Sequence, residues 1–299
     1  MTCTKDNTCA QAGNGCDAAA GGAEDQQAAD ARRQAAAALA ERLRRIRHKL
    51  LVFSGKGGVG KSTVSANLAV AAARAGWRMG LLDIDFHGPS IPRLFGLQAE
   101  RPAADGPAIA PLEPLPNLRV MSLGFLLRDS EEAVIWRGPM KMGAIQQLLR
   151  DVEWGELDLL IIDSPPGTGD EPLSVCQSIP EVDGAVLVTT PQQLSVADVR
   201  RSLGFCRKLN VSVLGVVENM SGFKCPHCGT VTNILKSHGG REMAAEAGVP
   251  FLGSVPLDPE LVVACDDGVL ASTGDAGASG PAFQKVADAV LDQLTAGED

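Results

Sequence analysis

The chain has 299 residues, and its 27 lysines and arginines against 36 aspartates and glutamates leave a net charge of −9, which argues against a broad nucleic-acid-binding surface. No apolar run approaches the ~20 residues of a membrane span, and the amino terminus, MTCTKDNTCAQAGNGC, lacks the apolar stretch of a secretory signal. A cytoplasmic protein with neither membrane nor nucleic acid as partner is therefore expected, and its eight cysteines point to metal or redox chemistry rather than to disulfides.

Residues 1–26 are small and polar and include Cys3, Cys9 and Cys16. No core can be built from them, so they read as a disordered tail unless a metal orders it. Residues 27–48 are alanine-rich and helix-forming, with Leu39, Leu43 and Ile46 on one face and a basic, solvated end from Arg42 to His48. From Lys49 to Asp299 the pattern is strand and helix in alternation. Strands are expected at Met79–Ile84, Leu118–Leu123, Leu157–Ile162, Ala185–Val188 and Val211–Val217. Helices are expected over 61–75, 143–150, 195–209, 240–247 and 281–295, with 99–116 as a loop excursion. Such alternation with continuous apolar runs predicts one α/β domain: a doubly wound, mostly parallel sheet with helices on both faces. Ligands then sit beyond the carboxyl ends of the strands.

The segment Leu50-Leu51-Val52-Phe53 runs into GKGGVGKS, Gly55 to Ser62, and then into a helical pattern. A strand, a turn of the form G-x-x-x-x-G-K-[ST] and a helix together make a P-loop. Gly55, Gly57, Gly58 and Gly60 free the backbone, so that N–H groups from Gly55 through Val59 to Thr63 can converge on phosphates at a helix amino terminus. Lys61 is expected on the β- and γ-phosphates and the Ser62 hydroxyl on Mg²⁺. Asp83 and Asp85 follow an apolar strand at a spacing of two, which places them on one side of it. Asp163 ends the strand LDLLII and opens DSPPGTGD, the arrangement of a Walker B aspartate holding Mg²⁺ through water. The Gly167 N–H, in the stiff turn that follows, is placed to sense a γ-phosphate.

Cys225 and Cys228 form CPHCG, a turn that puts two thiolates on one metal or one cluster. This is half a site, and a homodimer supplies the other half by two-fold symmetry. Zinc and an iron–sulfur cluster both fit these ligands. Cys176 and Cys206 lie in helical patterns and read as buried structural thiols.

GKGGVGKS, DIDFHGPSIP, DSPPGTGD and ENMSGFKCPHCG, in that order between Lys49 and Leu294, resemble the Mrp/ApbC-type iron–sulfur carrier ATPases. These belong to the deviant-Walker P-loop superfamily with MinD, ParA and the nitrogenase iron protein. The resemblance implies ATP binding with slow hydrolysis, a labile [4Fe–4S] cluster at a homodimer interface, and delivery of that cluster to apo-proteins. It implies that Lys56 crosses to the partner's nucleotide, that Asp85 orients the attacking water, that Asp83 supports Mg²⁺ through water, and that Asn219 reads the adenine. The three amino-terminal cysteines do not match the four-cysteine site of the scaffold branch. Two other readings are a positioning ATPase of the MinD or ParA kind, which leaves CPHC unexplained, and an ATPase with a structural zinc at its interface.

Overall fold

The computed structural model describes residues 26, 30, 33–86, 88–106, 108–126, 138–179, 181–270 and 278–296. Cys3, Cys9 and Cys16, and with them the expected tail, lie outside the described residues.

In chain order, a helix α1 (33–43) leads into strand β1 (Ile46–Ser54), helix α2 (Lys61–Arg74), β2 (Met79–Asp83) and a short α3 (Ile91–Leu94). Then come β3 (Ala104–Asp105), β4 (Ala108–Ile109), β5 (Leu112–Leu115), β6 (Leu118–Ser122), α4 (Gly138–Asp151), β7 (Leu157–Asp163) and α5 (Asp170–Ser178). The remainder is β8 (Gly184–Thr189), α6 (Gln193–Lys208), β9 (Val213–Glu218), β10 (Phe223–Lys224), β11 (Val231–Thr232), α7 (Gly239–Ala247), β12 (Phe251–Ser254), α8 (Pro259–Asp266) and α9 (Ser279–Thr295).

Eight strands form one sheet in the order β12-β9-β8-β1-β7-β2-β6-β5. All neighbours are parallel except the β5–β6 edge, where the chain returns through Pro116 and Asn117, the latter at φ 64°. Asparagine tolerates that left-handed turn. Beyond their first two residues the central strands β1, β7 and β8 are buried throughout, as a sheet covered on both faces requires. Helix α2 is buried on nearly every side, because alanines at 66, 69 and 71–73 let it lie close between the sheet and α9. No helix among the described residues is long and apolar enough to cross a membrane.

The expected parallel sheet is present, with three corrections. The expected helix over 27–48 ends at 43, and Ile46 to His48 already belong to β1, where Ile46 pairs with Leu157. Period-two burial takes over there: Ile46 and His48 are inside, Arg47 outside. His48 is therefore not a solvated residue; its Nδ1 lies 3.2 Å from Asp183 Oδ1. The stretch 99–116 contains β3 and β4, a small hairpin, and β5, the antiparallel edge. Short, Pro-rich strands carry too little apolar periodicity to be seen in advance.

The carboxyl ends of β9, β8, β1, β7 and β2 lie side by side in that order, so Glu218, Thr189, Ser54, Asp163 and Asp83 gather along one edge of the sheet. Cα register pairs Asp83 with Asp163 across β2 and β7.

Candidate functional site

The P-loop spans residues 55–60, from the end of β1 to the start of α2. Each of its glycines answers a different demand. A Cβ on Gly55 would lie 2.4 Å from the backbone of Asp198, so α6 approaches the loop too closely for any side chain. Gly58 and Gly60 hold φ of 78° and 80°, and a Cβ on Gly60 would also lie 2.2 Å from Asn219 Nδ2. Gly57 differs: a Cβ there meets no atom within 4 Å and its φ is not left-handed. Its bareness serves nothing inside the chain and leaves the loop's outer side open to a bulky group, as close approach to a phosphate requires. Val59 is buried, and its carbonyl accepts a hydrogen bond from Asn219 Nδ2 at 2.9 Å. Thr63 continues the helix, its carbonyl accepting from Asn67. The Ser54 carbonyl accepts from the Gly167 N–H at 2.8 Å.

Asp163 is the charge centre. Lys61 Nζ sits 2.8 Å from its Oδ1, Ser62 Oγ donates to its Oδ2 at 2.5 Å, and Ser65 Oγ donates to its Oδ1 at 2.8 Å. Ser62 and Asp163 thus put two oxygens side by side, the hard donor set that Mg²⁺ prefers. Lys61 is 6% exposed and also lies 3.9 Å from Asp85 Oδ2. Its ammonium is folded onto the carboxylates, so an incoming phosphate would take it over from Asp163.

Asp83 ends β2 and Asp85 lies two residues beyond it, and the two have different surroundings. Asp85 lies beyond the strand, at the rim of the site near Lys61. Asp83 is fully buried and accepts hydrogen bonds from the Asp85 and Ile91 N–H groups and from Ser122 Oγ. Because β2 ends at Asp83, the spacing of two does not by itself set how the two carboxylates face. Asp83 ties down the loop that carries Asp85. Its carboxyl is pushed up to about 7, first by burial and then by the neighbouring Asp163 charge, while Lys61 opposes the shift.

Asn219 is likewise committed to the chain. Besides holding Val59, its Oδ1 accepts from the Met220 N–H at 2.9 Å, and the residue is 4% exposed. It braces the P-loop through Val59. The Gly167 N–H is taken by Ser54, so contact with a γ-phosphate requires it to change partner. Lys56 is half-buried, with no ion pair or side-chain hydrogen bond from its ammonium among the described residues.

The cysteine pair sits on a small hairpin. Strand β10 pairs antiparallel with β11, the Cys225 N–H donates to the Thr230 carbonyl, and the Gly229 N–H donates to the Cys225 carbonyl. Gly229, at φ 72°, closes the turn. The Cys228 thiol lies 3.3 Å from Thr230 Oγ1. Hydrogen bonds from Thr230 and from Cys225 hold it below the usual thiol range. The hairpin begins only four residues after Asn219, through Met220 and Gly222, both at positive φ.

A family model described as the NUBPL iron-transfer P-loop NTPase, of the ParA group, matches residues 45–291. The chain belongs to this family. It is 46% identical over 258 residues to the iron-sulfur cluster carrier protein of Methanocaldococcus jannaschii, covering 86% of this chain and 89% of the relative. It is 48% identical over 258 residues to the cytosolic Fe-S cluster assembly factor NUBP2 of Bos taurus, covering 84% of this chain and 95% of the relative. Among solved structures, the nucleotide-binding protein of Archaeoglobus fulgidus in complex with ADP superimposes with a TM-score of 0.69 at 42% identity, over 78% of this chain and 90% of that one. MinD of Pyrococcus horikoshii, at 22% identity and a TM-score of 0.61, shares the fold.

Several residues that shape the site in this iron-transfer P-loop NTPase receive no role from the sequence alone. Ser65 shares Asp163 with Ser62, one helical turn along α2. Ser122, at the end of β6, fixes Asp83. Glu218, fully buried at the end of β9, accepts from the N–H groups of His238 at 2.9 Å and Gly240 at 2.5 Å, and so caps α7. A carboxylate closing an apolar strand was the available signal for Glu218; the serines carry none.

Proposed function

We propose that this chain is an ATP-hydrolysing iron–sulfur cluster carrier of the cytoplasm. It would work as a homodimer, holding a labile [4Fe–4S] cluster between two Cys225–Cys228 pairs and passing it to apo-proteins. The observation that carries the reading is the short connection between the two sites: Asn219 grips the P-loop at Val59, and the cysteine hairpin starts at Phe223. The names of the relatives support the cargo, and the ADP complex of the Archaeoglobus protein supports the nucleotide.

Lys61 leaves Asp163 for the β- and γ-phosphates, which frees Asp163 and Ser62 for the metal. Bound Mg²⁺ would neutralise charge on the phosphate oxygens. Asp85, at the rim, orients a water against the γ-phosphorus. A new P–O bond forms, the bond to the β–γ bridging oxygen breaks, and ADP and inorganic phosphate result. Asp83 keeps the Asp85 loop in place, and Lys56 is available to reach a nucleotide held by a partner copy. Any shift of Val59 on nucleotide binding moves Asn219, and through Met220 and Gly222 the hairpin. Nucleotide and cluster would then alter each other's affinity reciprocally.

The test is iron, labile sulfide and zinc per chain on protein purified without oxygen, for the wild type and Cys228→Ala. A shared four-iron cluster predicts about two irons and about two sulfides per chain, lost in the variant. Zinc at about half an equivalent with no sulfide would replace the carrier reading by a zinc-pinned dimer.

A further inference from the structure

Lys141, in the first turn of α4, touches both loops that the proposed hydrolysis depends on. Its ammonium is ion-paired with Glu171 and lies 5.3 Å from the centroid of the Phe86 ring. Phe86 directly follows Asp85. Glu171 is the second residue of α5 and directly follows DSPPGTGD, the segment that contains Gly167. Lys141 and Phe86 are each 8% exposed.

A lysine buried to this degree is rare unless its charge is matched. Here the match comes from two places at once, a carboxylate on one loop and the negative face of an aromatic ring on the other. Both interactions are stronger away from water than at the surface. Neither is local to α4: the first reaches thirty residues forward to Glu171 and the second back to the end of the β2 loop. The ammonium is therefore a pin between the water-orienting loop and the γ-phosphate-sensing loop. Nothing in the P-loop or in the cysteine hairpin depends on it.

We propose that Lys141 is a positioning residue that fixes the separation of the Asp85 loop and the Gly167 loop. The proposal rests on the reading that the chain hydrolyses a nucleoside triphosphate. An in-line attack tolerates little misplacement; an error of about 1 Å costs roughly a hundredfold in rate. Loss of the pin, with both loops otherwise intact, should fall below that limit.

The experiment compares steady-state ATP turnover and ADP affinity for wild type, Lys141→Met, Lys141→Arg, Glu171→Gln and the Lys141→Met/Glu171→Gln pair. Methionine keeps the stem and removes the charge. The expected result is a fall in kcat of about tenfold for Lys141→Met, with KM and ADP Kd within about twofold. Arginine should recover most of the rate, since it keeps both the ion pair and the ring contact. The double variant should be no slower than Lys141→Met alone, as two ends of one contact are not additive. A Lys141→Met enzyme that turns over within about twofold of wild type overturns the proposal, as does an arginine variant no better than methionine. If Lys141→Met fails to fold, Glu171→Gln carries the same expectation of a kcat loss at constant KM. A wild type without turnover sinks the hydrolysis reading instead. Amide hydrogen exchange then decides the pin: exchange in the peptides holding Asp85 and Gly167 should rise together in Lys141→Met, and unchanged exchange in either one overturns it.

Discussion

Around the P-loop the chain answers its own polar groups. The Val59 carbonyl meets Asn219, the Ser54 carbonyl meets Gly167, and Asp163 meets Lys61, Ser62 and Ser65. The cysteine hairpin is held by two strands of two residues each, with Val231 and Ile234 exposed beside it and Cys228 at the surface. The first turn is built before its ligand arrives; the second leaves its shape to what it binds. Preorganisation suits a group that must direct a reaction. A loosely held pair of thiols suits cargo that has to be released.

The largest break in this comparison should come at Lys61. Lys61→Met leaves Asp163 and Asp83 buried without their cation, and removing one partner of such a pair costs about 3–5 kcal/mol. Urea unfolding of the nucleotide-free protein should show that loss, and turnover should vanish. Next are the glycines. Gly60→Ala forces a side chain into a left-handed position against Asn219 and should cost about 1–3 kcal/mol. Gly57→Ala should stay within about 0.5 kcal/mol of wild type and weaken nucleotide binding, measured by ADP titration. If the two alanines behave alike, the distinction between an inward and an outward glycine is wrong.

A smaller effect should follow pH. Asp83 has a folded pKa of about 7 against an ordinary value of 3.8, so the folded state binds more protons between those limits. Its contribution is fully present below about pH 4 and is lost as pH rises towards 7. Unfolding free energies across that window should therefore fall more steeply for wild type than for Asp83→Asn. The smallest effect belongs to the hairpin: Cys228→Ser in metal-free protein should leave the melting curve within about 0.5 kcal/mol of wild type, while iron binding is lost.

The P-loop, the central strands and the cysteine pair were legible in the sequence because each is a local pattern: an apolar run, a glycine-rich spacing, C-x-x-C. The hydrogen bonds by which Asp83 holds the Asp85 loop were not, because its partner Ser122 lies on another strand 39 residues away. Asn219 follows β9 as the sequence indicates, but its hydrogen bond to Val59 is not legible there, since the two lie 160 residues apart. The same distance hides why Gly55 and Gly60 are glycines: their reasons lie in α6 and after β9. Strand β12 lies at the sheet's edge and α8 buries none of its residues, so neither prints a strong periodic signal. The end of α1 was misjudged because alanine-rich propensity runs straight into a strand that only pairing with β7 stabilises.

The buried thiols have a consequence for a protein proposed to handle a thiophilic metal. Burial pushes Cys176 up to about 12 and Cys206 up to about 11, and a Cys206 thiolate would repel one at Cys176. Both therefore keep their protons at any cellular pH and are poor competitors for iron. Cys228 is shifted the other way. Within the described residues the thiols are thus sorted by acidity: Cys228, on the hairpin, gives up its proton more readily than the buried Cys176 and Cys206.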